Sequence, residues 1–210
     1  MTTWHETCLA DLSRALPEAR VEPYGSVAEG AADGWSDLDV IITTESPVEI
    51  ETALSGELWA FQSTLSGEEH VIRAVLVDGR RIDMTVRGVE ATLSDLAADN
   101  AVRFDLALAA AKLGRGSDLI GLHLCLGALR DALVLGMEQR DRELGHAHHR
   151  EATAHDRDAL RVLDSLGAPL EPATALRTYE TYGAWRRALE PTYVPDPRGL
   201  EALIARSIPA

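Results

Sequence analysis

The stretch YGSVAEGAADGWSDLDV, residues 24–40, decides the fold, and its first feature is a Gly-Ser pair after a short β-prone run. We predict residues 21–24 to be an edge strand, a place where a sheet tolerates proline. Gly25 would let the backbone approach a phosphate closely. Ser26 adds a hydroxyl and a backbone N–H toward the same anion. This corner is therefore a candidate phosphate cradle.

The second feature of the stretch is a pair of aspartates that leads into an apolar run. Asp37 and Asp39 follow the Gly-Ser pair after ten residues, which are rich in Gly, Ala and Asp and predict a loop over 25–36. The β-branched run 38–44 predicts a buried strand. Side chains alternate along a strand, so the two aspartates are expected on one face.

A third aspartate lies in a predicted hairpin. Residues 71–77 and 80–86 are two β-prone runs joined by Asp78-Gly79, a strong short-range hairpin signal. Alternation along the second run predicts three side chains on the face away from the core: Arg81, Asp83 and Thr85. Asp83 is thus a candidate partner for the aspartate pair.

Three carboxylates from neighbouring strands make a hard oxygen site. Mg²⁺ prefers carboxylates, water and substrate phosphates, so Asp37, Asp39 and Asp83 are candidate metal ligands and catalytic residues. Two such ions a few ångströms apart clamp the attacking and leaving oxygens of an in-line phosphoryl displacement. Capping of turns by solvated acids is the alternative interpretation.

The pattern resembles that of the DNA polymerase beta-like nucleotidyltransferase superfamily: a Gly-Ser pair, ten residues, Asp-x-Asp and a later aspartate in a strand. Residues 24–40 look most like the stand-alone aminoglycoside (streptomycin-type) adenylyltransferases. The resemblance implies Asp37, Asp39 and Asp83 as metal ligands, with the last as ligand or base. It also implies that Gly25 and Ser26 hold the triphosphate of ATP or another NTP.

The second half of the chain is predicted to be helical. Candidate helices cover 100–113, 117–137, 142–166, 173–189 and 200–208. In the first half, helices are predicted over 2–16 and from Ser46-Pro47 to about residue 58. The fold class is therefore α+β: a nucleotidyltransferase-type mixed sheet over 1–92, then a helical bundle over 93–210.

Charge is distributed unevenly between the two halves. The net charge is −14, of which residues 1–100 carry −13, with 6 arginines against 19 acids. A domain that wraps a phosphate backbone needs a basic stripe, so a nucleic-acid partner is not expected. The acidic half favours a small cationic acceptor.

The chain has one lysine, Lys112, near the end of a predicted helix. In similar enzymes a basic residue after the catalytic domain often reaches the triphosphate, and we assign this role to Lys112, together with Arg115. A solvated cation favoured by the helix dipole is the alternative interpretation.

The expected location is the cytoplasm, with no membrane partner. Cys8 and Cys125 have no metal-binding spacing and are expected to be reduced thiols. The first ten residues have no basic segment typical of a signal peptide, and no apolar run approaches the ~20 residues that span a bilayer.

Together these features predict a Mg²⁺-dependent enzyme that transfers a nucleoside monophosphate, AMP from ATP, to a hydroxyl of a small cationic acceptor such as an aminoglycoside. Two alternatives stay open. One is an antitoxin-like nucleotidyltransferase that modifies a protein hydroxyl, and the other is a non-catalytic nucleotide-binding module.

Overall fold

The computed structural model describes residues 3–145, 154–157, 159–166 and 169–207. The first elements are α1 (Trp4–Ala15), β1 (Arg20–Tyr24), α2 (Gly25–Ala28), β2 (Leu38–Thr43), α3 (Ile50–Leu54), β3 (Leu58–Ser66), β4 (Glu69–Leu76) and β5 (Arg81–Arg87). Then follow α4 (Asn100–Gly114), α5 (Asp118–Leu144), a 3₁₀ turn (Ala154–Arg157), α6 (Ala159–Leu166), α7 (Pro172–Leu189) and α8 (Arg198–Ser207).

The chain divides into two compact units. The first unit comprises Met1–Phe104 with Ala205–Ala210, and the second comprises Asp105–Ile204. The assignment of a catalytic domain to 1–92 and a helical domain to 93–210 remains a prediction. The α+β class is confirmed, because a mixed sheet is followed along the chain by helices.

The sheet of the first unit has five strands in the order β1-β2-β5-β4-β3. Only β2 and β5 are parallel, and the other neighbours are antiparallel. β1 is an edge strand, as predicted, so the missing N–H of Pro23 is tolerated. The parallel pair lies second and third in the sheet, and it carries the aspartates.

The core of the first unit lies where α1 and α3 pack on the sheet. Thr3 caps α1 in a capping box with Glu6, and the helix buries Cys8 and Leu12. The sheet contributes alternate residues of β2 and β5, all nearly inaccessible: Leu38, Val40, Ile42, Ile82, Met84 and Val86. The same alternation leaves the aspartates on the opposite face.

The helix predicted from Ser46-Pro47 to about residue 58 is wrong at both ends. The backbone of Val48 and Ile50 bonds to that of Thr92, so the chain is extended there and α3 begins only at Ile50. Ser55, at φ 49°, ends the helix in a left-handed conformation. The following residues form strand β3, which the sequence pattern did not predict.

The predicted hairpin is confirmed, and its turn contains Gly79 at φ 80°. The N–H of Leu76 donates to the carbonyl of Arg80, so the loop holds three residues. This loop length pairs Arg73 with Asp83 across the two strands.

The second unit is helical, with α7 packed against α5 and α6. α5 continues to Leu144, seven residues beyond the predicted end, and Gly145 at φ 69° caps it. The predicted helix 142–166 lies partly outside the described residues, and its described part contains the 3₁₀ turn and α6.

Within the described ranges, one helix has the length and hydropathy to cross a bilayer, and it is α5. From the sequence we expected no apolar run long enough to span a bilayer, and α5 does not agree with that expectation. The observation is weak support for a membrane span, because core helices of soluble proteins share these properties.

Candidate functional site

Three carboxylates converge where the parallel strands β2 and β5 begin. One oxygen from each of Asp37, Asp39 and Asp83 lies within 4.8 Å of the others. Asp39 and Asp83 are register partners across the two strands. Asp37 stands two residues before Asp39, so strand alternation brings it to the same face. The structure therefore brings together all three aspartates that the sequence singled out.

The cluster concentrates negative charge on one face of the sheet. Burial, together with the neighbouring Asp37 and Asp83 carboxylates, raises the pKa of Asp39 to about 6. Burial also raises the pKa of Asp83. Like charges held this close disfavour simultaneous ionisation, and a bound divalent ion would remove that penalty.

Two arginines, to which the sequence interpretation gave no role, hold two of the carboxylates. Arg81 Nη2 donates to Asp37 Oδ2 at 2.8 Å, and Arg73 Nε donates to Asp83 Oδ2 at 2.9 Å. Each contact occupies one oxygen of its carboxylate. Among the described residues, Asp39 forms no ion pair, which agrees with its raised pKa.

The arginines differ in their surroundings. Arg81 is 8% exposed, and its Nη1 also donates to the Trp35 carbonyl at 3.4 Å. The Arg73 side chain is 40% exposed, and its guanidinium lies 5.7 Å from the centre of the Phe104 ring. Arg81 is thus a fixed support for Asp37, whereas Arg73 lies where solvent and ligands reach it.

The Gly25 turn contacts the aspartate cluster directly. Gly25 has φ +62°, and a Cβ there would lie 2.5 Å from Asp39 Oδ2. Only glycine accommodates both the conformation and the approach. Tyr24 pairs with Asp39 across β1 and β2, which fixes the turn beside the carboxylate.

The loop predicted over 25–36 begins with a helical turn instead, α2. The first N–H groups of a helix have no intrahelical acceptor, so those of Ser26 and Val27 are available to an anion. The Ser26 side chain is half-buried beside them. The turn forms because Gly25 reverses the chain and its carbonyl accepts from the N–H of Glu29.

A hydrogen-bonded turn sets the approach to Asp37. Asp33 Oδ1 accepts from the N–H of Trp35 and from the hydroxyl of Ser36. His5, buried in α1, forms a 3.2 Å hydrogen bond with the Ser36 carbonyl. This turn fixes the residue before the first aspartate of the cluster.

Lys112 lies near the C-terminus of α4 and is half-buried. It belongs to the second unit, whereas Gly25, Ser26 and the aspartates belong to the first. Its contact with a triphosphate therefore remains a prediction, as does that of Arg115.

The donor set fits Mg²⁺. It consists of carboxylate oxygens, two of them oriented by arginine, beside the Gly25 turn. Hard oxygen ligands next to an anion cradle are typical of sites where a divalent ion holds a phosphate.

Comparison with known proteins agrees with this geometry in the first unit. Residues 5–91 match the family model described as nucleotidyltransferase domain. No curated protein sequence matches the chain. Among solved structures, an aminoglycoside 6-adenyltransferase from Bacillus subtilis is 10% identical, with 98% of both chains covered and a TM-score of 0.35. A likeness at this score supports no conclusion about the chain.

Proposed function

We propose, from the match of residues 5–91 to the nucleotidyltransferase domain model, that the chain transfers AMP from ATP to a hydroxyl of a small cationic molecule with the help of Mg²⁺. The observation that carries this proposal is the meeting of Asp37, Asp39 and Asp83 beside the Gly25 turn. A domain that retains all three carboxylates and a phosphate cradle has the parts required for transfer.

Asp37, Asp39 and Asp83 would hold the metal. When bound, Mg²⁺ would neutralise charge on the phosphate oxygens of the nucleotide. Arg81 keeps Asp37 in place through a buried ion pair, so one ligand is oriented before any ion binds. Such preorganisation is how phosphoryl transfer is mostly catalysed.

The remaining residues bind the nucleotide and move a proton. Ser26 and the N–H groups of α2 hold the β and γ phosphates, and Lys112 neutralises the departing pyrophosphate. Asp83 accepts the proton of the acceptor hydroxyl while the hydroxyl oxygen forms a bond to the α-phosphorus. The bond from that phosphorus to the pyrophosphate oxygen breaks in the same displacement.

The acceptor is proposed to be a polycationic small molecule such as an aminoglycoside. The first half of the chain carries −13 of the −14 net charge, which attracts a cation toward the proposed site. The same charge disfavours nucleic acid. Two free, buried cysteines support a reducing compartment, so we assign the protein to the cytoplasm.

Pyrophosphate release tests the proposal. We expect release from ATP with Mg²⁺ and at least one member of an aminoglycoside panel, and none in EDTA. Asp39→Asn should lower kcat by roughly 10³-fold, about 4 kcal/mol, because it removes a metal ligand. The matched control is Glu69→Gln, an exposed acid on β4 paired with Arg87.

The alternatives give different results in the same assay. Binding of Mg-ATP without release on any acceptor indicates a nucleotide-binding module. Release only with a co-purifying protein indicates modification of a protein hydroxyl. An Asp39→Asn variant with wild-type turnover would eliminate the mechanism.

A further inference from the structure

The aspartate cluster lies in a row of residues that crosses four strands of the sheet. Asp39 pairs with Tyr24 on one side and with Asp83 on the other, and Asp83 pairs with Arg73. Register partners share a face, and neighbouring strands lie about 4.8 Å apart. The row therefore runs from the Gly25 turn, next to Tyr24, through the carboxylates to Arg73.

Arg73 uses only part of its guanidinium within the chain. Nε donates to Asp83 Oδ2 at 2.9 Å, whereas Nη1 and Nη2 donate to no acceptor in the ranges that the structure describes. Neither Nη is a buried donor without a partner, and the side chain is 40% exposed, so both groups face solvent. A bound molecule can therefore reach them.

The free edge of this guanidinium has the geometry of an oxyanion site. Nη1 and Nη2 present two parallel N–H groups, the arrangement that binds two oxygens of one phosphoryl group. The opposite edge is tied to Asp83, and one face lies 5.7 Å from the centre of the buried Phe104 ring. The group is thus held in place before a ligand arrives, which lowers the entropy lost on binding.

The place of Arg73 in the row indicates which oxyanion it meets. The proposed cradle for the β and γ phosphates, at Gly25 and Ser26, lies at the other end of the row, beyond Asp39. The phosphoryl group that is transferred must lie next to Asp83, the proposed acceptor of the proton from the attacking hydroxyl. The cationic molecule that carries this hydroxyl would be repelled by the guanidinium.

We propose that Arg73 donates from Nη1 and Nη2 to the non-bridging oxygens of the nucleotide α-phosphate while Nε keeps its contact with Asp83. This inference rests on the proposed function and adds to it a binding residue for the group that is transferred. One side chain then holds both the proton acceptor and the phosphate that is attacked. A fixed cation at this place also stabilises charge that develops on the α-phosphoryl oxygens.

Calorimetric titration with two ligands tests the contact. The Mg²⁺ complex of α,β-methylene-ATP contains the α-phosphoryl group and releases no pyrophosphate, whereas the Mg²⁺ complex of pyrophosphate lacks that group. Arg73→Met should weaken binding of the first by roughly 10- to 100-fold, as expected for lost hydrogen bonds to a charged group. Binding of pyrophosphate should stay close to that of wild type, because its phosphates lie in the cradle at Gly25.

Two further variants sharpen the comparison. Arg73→Lys keeps the charge but has no fork that reaches Asp83 and a phosphate together, so it should recover only part of the lost affinity. Arg87→Met is the matched control, because Arg87 lies on the same face and forms an exposed 2.9 Å pair with Glu69. It lies four residues from Asp83, about 13 Å along β5, so both ligands should bind to this variant as to wild type.

Two results would overturn the inference and leave the proposed function intact. One is wild-type affinity for α,β-methylene-ATP in Arg73→Met. The other is an equal loss for both ligands, since Arg73 would then act through Asp83 and not on the α-phosphate. Where Arg73→Met does not fold, Arg73→Lys gives the same comparison of the two ligands.

The failure of the proposed function has a different signature. If Arg73→Met selectively weakens α,β-methylene-ATP but the wild type releases no pyrophosphate from ATP with any acceptor, the inference stands and the transfer reaction is refuted. A wild-type protein that does not bind α,β-methylene-ATP would overturn both.

Discussion

The aspartate cluster of the first unit and a cavity of the second, lined by Gly136, Arg140 and Trp185 of α5 and α7, are assembled in different ways. In the first unit, strand register places Asp39 opposite Asp83, and an excess of like charge defines the site. In the second unit, the fit of Trp185 against Gly136 defines the shape, and one guanidinium provides the polarity. The cluster should therefore respond most to changes of charge and approach, and the cavity to changes of volume.

Among changes outside the three aspartates, the largest effect is expected at the Gly25 turn. Gly25→Ala puts a Cβ within 2.5 Å of Asp39 Oδ2, so the carboxylate must move away from its present position in the aspartate cluster. We expect kcat for pyrophosphate release to fall roughly 100-fold, about 2.7 kcal/mol, as misplacement by about an ångström does elsewhere.

Gly30→Ala is the matched control for this prediction. Gly30 has a similar φ of +69°, but a Cβ there would meet nothing within 4 Å. Both variants incur left-handed strain, and only the first displaces Asp39. Equal losses of activity in the two variants would show that backbone strain, not the approach to the carboxylate, matters.

Much of the aspartate cluster follows from sequence, because strands have a period of two. Asp37 and Asp39 share a face for that reason, and Asp78-Gly79 predicts the hairpin that carries Asp83. The approach of Gly25 to Asp39 does not follow from this pattern, since it depends on how β1 pairs with β2. The metal-binding role of these residues stays a prediction.

Arg73 could not be predicted as the partner of Asp83, because the hairpin signal leaves the loop length open. A two-residue Asp-Gly loop would shift the pairing by one position, whereas the three-residue loop pairs Asp83 with Arg73. Strand β3 was missed for a similar reason. A backbone bridge from Glu49 to Thr92, distant in sequence, decides where α3 begins.

The cavity between α5 and α7 was not predictable from sequence. The packing of α7 against α5 determines which residues of the two helices meet, and the sequence shows only that each is helical. Tyr179, Tyr182 and Trp185 recur at near-helical spacing, yet the first two are buried and only Trp185 lines the cavity.

The second prediction concerns the buried support of the cluster. Arg81→Met leaves Asp37 without its ion pair in half-buried surroundings, so the free energy of unfolding should fall by about 2 kcal/mol. Urea denaturation measures the change. Arg87→Met, which breaks the exposed pair with Glu69, should change it by under about 0.5 kcal/mol. A similar loss in both variants would show that the buried Arg81–Asp37 pair stabilises the fold no more than the exposed pair does.

The third prediction probes shape in the second unit. Gly136→Ala forces the Trp185 ring off α5, and we expect a loss of about 1.5 kcal/mol in the free energy of unfolding. Gly127→Ala on the same helix meets nothing within 4 Å and should stabilise the protein by up to about 1 kcal/mol, through helix propensity. Stabilisation by both changes would mean that Trp185 does not lie on Gly136.

The smallest effect is expected in the metal-free protein, as a pH dependence of stability. The pKa of Asp39 is about 6 in the folded chain against an ordinary value of 3.8, so the folded state holds this proton more tightly. The tighter binding of the proton contributes fully to the free energy of unfolding at low pH. This contribution is lost as the pH rises from about 4 through about 6.

Asp39→Asn cannot ionise at this position and so escapes that loss. In EDTA, its free energy of unfolding should rise relative to that of wild type by about 1 kcal/mol between pH 4 and pH 7. The difference is small because solvent and two arginines screen the cluster. Urea denaturation of both proteins across this range gives the difference directly. A difference that does not change with pH would mean that Asp39 ionises as freely in the folded chain as in the unfolded one. The proposal that crowded carboxylates favour a cation at this face of the sheet would then lose its electrostatic support.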